Sequence, residues 1–125
     1  MYKEFSYIHN HPLIEIFLIG PKERIKMLAL LDSGADYSLF NLEVAERLGI
    51  KKETSEKIGL QGVVGEPFFG YLHKVPVQVE NKVFNCKIVF SNVKTTLLGR
   101  DNFFLPFLVT FNEKQQKVSL KELES

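Results

Sequence analysis

The sequence has 125 residues, 45% of them hydrophobic and 11 of them Phe, enough for one domain (residues 1–125) with a real core. Lys and Arg number 16 against 15 Asp and Glu, a net charge of +1 that excludes the basic field needed to hold nucleic acid. The apolar runs are far shorter than a membrane helix requires, Met1-Tyr2-Lys3-Glu4-Phe5 lacks the basic start and apolar core of a signal peptide, and the single cysteine, Cys86, excludes an internal disulfide, so the expected setting is a reducing cytoplasm away from membranes.

The pattern along the chain is mainly that of strands. Tyr2 to Ile8 alternates weakly and is broken by His9-Asn10-His11-Pro12. Leu13 to Ile19 is β-branched and aromatic, Gly20-Pro21-Lys22-Glu23 is a turn, and Arg24 to Leu31 returns as the second arm of a hairpin. His9 and His11 stand two apart, a spacing that metal ligands use. No Cys or acidic cluster completes such a site, so they read as a polar loop, and His73 reads as a strand residue on the same grounds.

Next comes Leu30-Leu31-Asp32-Ser33-Gly34-Ala35-Asp36. An apolar strand ends in a carboxylate, and a glycine lets the chain turn sharply. Such a turn can hold Asp32 on the floor of a cleft with backbone N–H groups facing its oxygens. Asp, Ser and Gly are also ordinary turn residues, so these positions taken alone favour a plain strand end over a catalytic aspartate.

Tyr37 to Phe40 is a further short strand. Asn41 is a natural N-cap for a helix whose apolar side is Leu42, Val44, Ala45 and Leu48, and Gly49 is its stop. Lys51 to Lys57 reads as a solvated loop. Ile58 to Gln61 and Phe68 to Tyr71 flank Gly62-Val63-Val64-Gly65-Glu66-Pro67, a glycine-rich hairpin tip with bare valines that suits a cover over a cleft as well as a plain hairpin. No Gly-Lys-Ser/Thr follows it, so phosphate binding is a poor reading.

Val75 to Glu80 and Val83 to Phe90 form a hairpin with Asn81-Lys82 as the expected turn, and Cys86 within it reads as a small buried apolar residue. Thr95 to Asp101 ends a strand at Gly99 and opens a short helical turn over Asn102 to Leu105. Phe107 to Phe111 and Lys117 to Leu120 make a terminal hairpin.

Three of these features, in this order, resemble the retroviral-type (retropepsin-like) aspartic proteases, and more closely their cellular and bacterial members. Leu30 to Asp36 looks like the family's apolar-apolar-Asp-Thr/Ser-Gly-Ala signature. The glycine-tipped hairpin stands where the family has its flap. Leu97-Leu98-Gly99-Arg100-Asp101 is similar to the second apolar-apolar-Gly motif. The resemblance covers roughly residues 10 to 111. Position 33 is Ser where many members have Thr, and its hydroxyl survives.

The resemblance implies a single closed β-barrel with one helix and a short C-terminal helical turn. It implies an aspartic endopeptidase acting on polypeptides, with Asp32, Ser33 and Gly34 as the catalytic set. Ala35, Asp36, Gly62, Val63, Val64 and Gly65 would contact substrate, and Asp36, Arg100 and Gly99 would give structural support, Asp36 and Arg100 as a buried ion pair. No metal, nucleotide or organic cofactor is implied. One Asp-Ser-Gly per chain cannot supply two carboxylates, so the second Asp32 is expected from the other subunit of a homodimer. The alternative is the same fold kept as a dimerisation or peptide-binding module without turnover.

Overall fold

Period-two alternation of apolar residues organises the chain. Ile14, Ile16 and Leu18 on one strand, Val75, Val77 and Val79 on a second, and Cys86, Ile88 and Phe90 on a third are all buried. They belong to one core cluster, which also takes in Leu98, Phe103, Val118 and Leu120. Burying each Ile, Leu or Phe is worth about 1.5–3 kcal/mol relative to leaving it exposed. A computed structural model describes residues 1–60 and 68–124.

The described strands are β1 (Tyr2–Ser6), β2 (Leu13–Ile19), β3 (Arg24–Leu31), β4 (Ser38–Asn41), β5 (Glu56–Leu60), β6 (Phe68–Val79), β7 (Lys82–Ser91), β8 (Leu97–Leu98), β9 (Phe107–Asn112) and β10 (Lys117–Glu122). Helix α1 (Leu42–Leu48) lies between β4 and β5. The fold is mainly β. One sheet of seven strands runs β2-β3-β8-β4-β7-β6-β5, and β2 also pairs with β6 through Phe17 opposite Gln78 and Leu18 opposite Val77. A second, antiparallel sheet of three strands runs β1-β10-β9. An aromatic cluster joins the two: Phe84 of β7 lies 5.6 Å, centroid to centroid, from both Phe103 and Phe107.

Helix α1 is bounded as its ends dictate. The Asn41 side chain accepts a hydrogen bond from the Glu43 N–H at 2.8 Å. Gly49 takes the left-handed conformation, φ 84°, that ends the helix.

Three local expectations are corrected. The β6–β7 turn is Glu80-Asn81, since Val79 pairs with Lys82. Either register keeps the same faces together, so alternation does not choose between them. What chooses is Glu80, which takes φ 51°, its carbonyl held by the Gln78 side-chain amide at 2.9 Å. Residues 102–106 form hydrogen-bonded turns and no helix. Pro106 brings no N–H, and the Asn102 side chain is spent on the Lys87 N–H and the Asn85 carbonyl. The stretch from Lys51 to Lys57 is not all loop: Lys52–Thr54 is a short 3-10 helix and β5 begins at Glu56.

Candidate active site

The site is built where two chain segments run side by side. Strand β3 pairs in parallel with β8, Leu30 opposite Leu97 and Leu31 opposite Leu98. Both strands stop at the same level. The Asp32 N–H donates to the Leu98 carbonyl at 3.0 Å, and the Leu31 N–H donates to the Pro12 carbonyl at 3.0 Å. Asp32 is thus held by β8 on one side, and Leu31 before it by Pro12 at the head of β2 on the other, before the chain turns.

The turn itself is tight. The Ala35 N–H donates to the Asp32 carbonyl at 3.2 Å, and the Gly34 N–H donates to Asp32 Oδ1 at 2.9 Å. One carboxylate oxygen is anchored by the loop that carries it. The other has no partner among the described residues, and Asp32 is half-exposed. This leaves a fixed carboxylate with a free oxygen facing solvent, the arrangement a general base needs.

Beyond the turn the two segments stay zipped. The Arg100 N–H donates to the Ala35 carbonyl at 2.9 Å and the Asp101 N–H to the Asp36 carbonyl at 2.8 Å. Tyr37 bridges Asp101 in parallel. The Gly99 N–H donates to Ser38 Oγ at 3.0 Å. Gly99 must be glycine here, because a Cβ would land on the Tyr37 carbonyl and within 2.9 Å of the Ala35 oxygen. Two motifs far apart in sequence therefore make one rigid platform under Asp32.

A cleft of about 510 Å³ opens over this platform. Asp32, Gly34, Ala35 and Asp36 line one side, with Tyr37, Leu39 and Leu97 beside them; Gly59, Leu60 and Phe68 of the β5–β6 hairpin line the other. The cleft is a mostly apolar slot with carboxylates on its floor.

Comparison with solved structures bears on the fold. The chain is similar to a retropepsin-like aspartic protease from Rickettsia conorii, with TM-score 0.69 and 14% identity, over 96% of this chain and 89% of that one. It is also similar to EIAV protease in complex with an inhibitor, with TM-score 0.58 and 20% identity, over 78% of this chain and 88% of that one. The chain has the retropepsin-like fold. No protein-family model matches the sequence, and no curated protein matches it at the sequence level.

Within the retropepsin-like fold the expected residues fall as follows. Asp32, Gly34, Ala35 and Asp36 come together in the cleft. Ser33 is exposed beside them, and its hydroxyl has no partner among the described residues. Gly62, Val63, Val64 and Gly65 lie outside the described residues.

The side-chain pair expected between Asp36 and Arg100 is a correction. Both residues are exposed, and the ion pairs of the described residues do not include them. Each bonds through its backbone to the other's neighbour, the Arg100 N–H to the Ala35 carbonyl and the Asp101 N–H to the Asp36 carbonyl, and both side chains are left toward solvent. Asp101 is the residue that meets a cation, Lys87 Nζ at 3.9 Å.

Sequence reasoning missed Ser38, the fully buried hydroxyl under Gly99. A lone Ser among Leu39 and Phe40 at an inward strand position was its only signal. It also missed the apolar cleft wall of Tyr37, Leu39, Leu60, Phe68 and Leu97. Cys86 is buried with Ser38 Oγ 4.0 Å from its sulfur, and burial pushes its thiol up to about 12. It is packing, not chemistry.

Proposed function

We propose that this chain is an aspartic endopeptidase that works as a homodimer, with one Asp32 from each subunit. The observation that carries the reading is Asp32 itself: a carboxylate at a strand end, one oxygen held by the Gly34 N–H at 2.9 Å, on the floor of an apolar cleft. The retropepsin-like fold of the solved structures it resembles, both of them proteases, supports it.

In this reading two Asp32 carboxylates share one proton, since like charges a few Å apart do not both ionise readily. The ionised one takes a proton from water, and the protonated one polarises the scissile carbonyl. Each Gly34 N–H keeps its carboxylate aimed, and the backbone zipper to Leu98 and Arg100 prevents the loops from separating under charge repulsion. The substrate is an extended polypeptide whose apolar side chains meet Leu39, Leu60, Phe68 and Leu97. The tip residues Gly62, Val63, Val64 and Gly65 close over it as a flap, and the seven-stranded sheet serves as a closed barrel beneath. The chemistry takes no metal or organic cofactor, and the enzyme works in the cytoplasm, apart from nucleic acid and membrane. No helix among the described residues is long and apolar enough to cross a membrane.

The test is incubation of purified protein with a mixed peptide library, read by mass spectrometry. Wild type should cut; Asp32→Asn should not, while its melting temperature and sedimentation stay those of wild type. Equal cleavage by both proteins overturns the proposal.

A further inference from the structure

The face of the seven-stranded sheet that lines the cleft continues beyond it. Residues two apart on a strand share a face, and so do residues paired across two strands. Leu60 and Phe68, which line the cleft, are such a pair, followed along β5 and β6 by Ile58 with Gly70 and then by Glu56 with Leu72. Two residues beyond Leu72 comes Lys74, which stands opposite Lys87 of β7. The same face is reached from the other wall, where Leu39 of the cleft pairs with Val89, two residues from Lys87. A second hollow of about 400 Å³ opens there, bordered by Glu56, Leu72, His73, Lys74 and Lys87.

Lysine opposite lysine is a costly pairing, since like charges directly across a sheet repel. This pair is also a close one. The Lys87 N–H turns away from β6 to donate to Asn102 Oδ1 at 2.8 Å. Lys74 and Lys87 therefore form the narrow, non-hydrogen-bonded kind of pair, with Cα atoms about 4.5 Å apart and side chains at their closest. The acidic groups nearby do not neutralise them. Asp101 reaches Lys87 Nζ only at 3.9 Å. Glu56, on the β5 side of the hollow, makes no ion pair among the described residues, and the exposed Lys74 makes none either. His73 is engaged by Ser55, whose Oγ stands 3.1 Å from its Nδ1. The partner that Lys74 lacks is an anion.

We infer that this hollow is a distal subsite for an acidic side chain of the bound polypeptide, an Asp or Glu carboxylate lodged between the ammonium groups of Lys74 and Lys87. Continuity of the face argues for a peptide over a free ion. An extended peptide advances about 3.3 Å per residue, the same step as β6, so one that follows the shared face reaches Leu72 about four residues after the residue that meets Phe68. Glu56 repels an anion from the β5 side and directs the carboxylate toward the lysines. The inference rests on the protease reading and narrows its substrates to polypeptides with an acidic residue well removed from the scissile bond.

The experiment has two arms. In the first, the products of a mixed peptide library are sequenced by mass spectrometry after exposure to wild type and to Lys74→Gln with Lys87→Gln. Wild type should enrich Asp and Glu about threefold or more at positions about four to seven residues from the cut, the advantage expected of exposed ion pairs. The preference should fade as salt rises above about 0.15 M. The double variant should keep cutting with the same apolar preferences near the cut and lose the acidic enrichment. In the second arm, a fluorescein-labelled hexaglutamate peptide is titrated by anisotropy against Asp32→Asn chains with and without the two glutamines, so that cleavage is not needed. Binding should weaken about threefold or more without the lysines, and a hexaglutamine peptide should not tell the two chains apart. If the double variant does not fold, Lys74→Gln alone, at an exposed position, carries both arms. Cleavage with no acidic preference, or with one that survives the glutamines, overturns the inference and leaves the protease reading standing. Lysine-dependent binding of hexaglutamate by a chain that cuts no peptide keeps the acidic-peptide site and sinks the protease reading. Binding indifferent to the lysines sinks the site whether or not the chain cuts. Displacement of hexaglutamate by micromolar sodium phosphate would assign the hollow to a free anion and overturn the polypeptide occupant.

Discussion

Gly99 donates its backbone N–H to the buried hydroxyl of Ser38 at 3.0 Å, and the same hydroxyl sits 4.0 Å from the Cys86 sulfur. This bond stitches the end of β8 to the start of β4, one layer beneath the Asp32 turn. Removing the acceptor orphans a buried donor, which costs about 1–3 kcal/mol. Ser38→Ala should lower the melting temperature by several degrees. Gly99→Ala should cost more, because its Cβ meets the Tyr37 and Ala35 backbone, which cannot rotate away. Thermal unfolding of the two variants checks the order, and a Gly99→Ala melt above that of Ser38→Ala would contradict it.

Arg100→Ala tests the opposite expectation. Arg100 and Asp36 are both exposed and do not pair, and substitutions at such surface positions stay within about ±0.5 kcal/mol. The melt should therefore move by no more than a degree or two. A large drop would mean that the guanidinium has a stabilising partner.

Cys86 gives a pH-dependent prediction. Burial raises its thiol from 9.0 to about 12. Above pH 9 the unfolded chain releases this proton while the folded chain keeps it, so stability present below about pH 9 is lost as the pH climbs toward about 12. Other groups titrate in that window, so the readout is a difference. Cys86→Ala should show a shallower alkaline loss of stability than wild type in urea melts between pH 8 and pH 10.5, roughly the accessible half of the window. Parallel slopes would show that the thiol does not carry this effect.

The parts of the fold legible in sequence were those set by neighbours. Alternation revealed β2, β3, β6 and β7, and the caps Asn41 and Gly49 bounded α1, because these signals act over a few residues. The Leu-Leu-Asp-Ser-Gly and Leu-Leu-Gly-Arg-Asp stretches were visible as a pair, and the parallel contact of Leu31 with Leu98 brings them together. What stayed hidden depended on direction or on distance. Nothing in the spacing of Asp36 and Arg100 says that a backbone zipper leaves their side chains outside. The Glu80-Asn81 turn was hidden because a two-residue slip in pairing keeps every face the same. The pairing of β1 with β10, Phe5 opposite Val118, spans almost the whole chain and has no local mark.

The last prediction concerns the active species. The chemistry proposed for Asp32 needs a second carboxylate facing it, and the chain offers few. Asp36 lies in the same cleft but is four residues on, and its carbonyl is bound to the Asp101 N–H. Asp101 borders a separate hollow with Arg100 and Asn102, and its carboxylate stands 3.9 Å from Lys87 Nζ. Neither is followed by a Ser-Gly turn whose N–H would aim it as the Gly34 N–H aims Asp32 at 2.9 Å. In the proposed reading the second carboxylate is another Asp32, and activity should follow the dimer. Specific activity should fall on dilution in step with the dissociation measured by sedimentation. Adding excess Asp32→Asn chains to wild type should poison cleavage, because each mixed dimer holds half the pair. If wild-type subunits exchange freely, a ninefold excess of the variant should leave on the order of a tenth of the wild-type chains in active dimers, whereas independent monomers would lose nothing. Full activity that is independent of concentration, from a species that sediments as a monomer, would place both carboxylates in one chain.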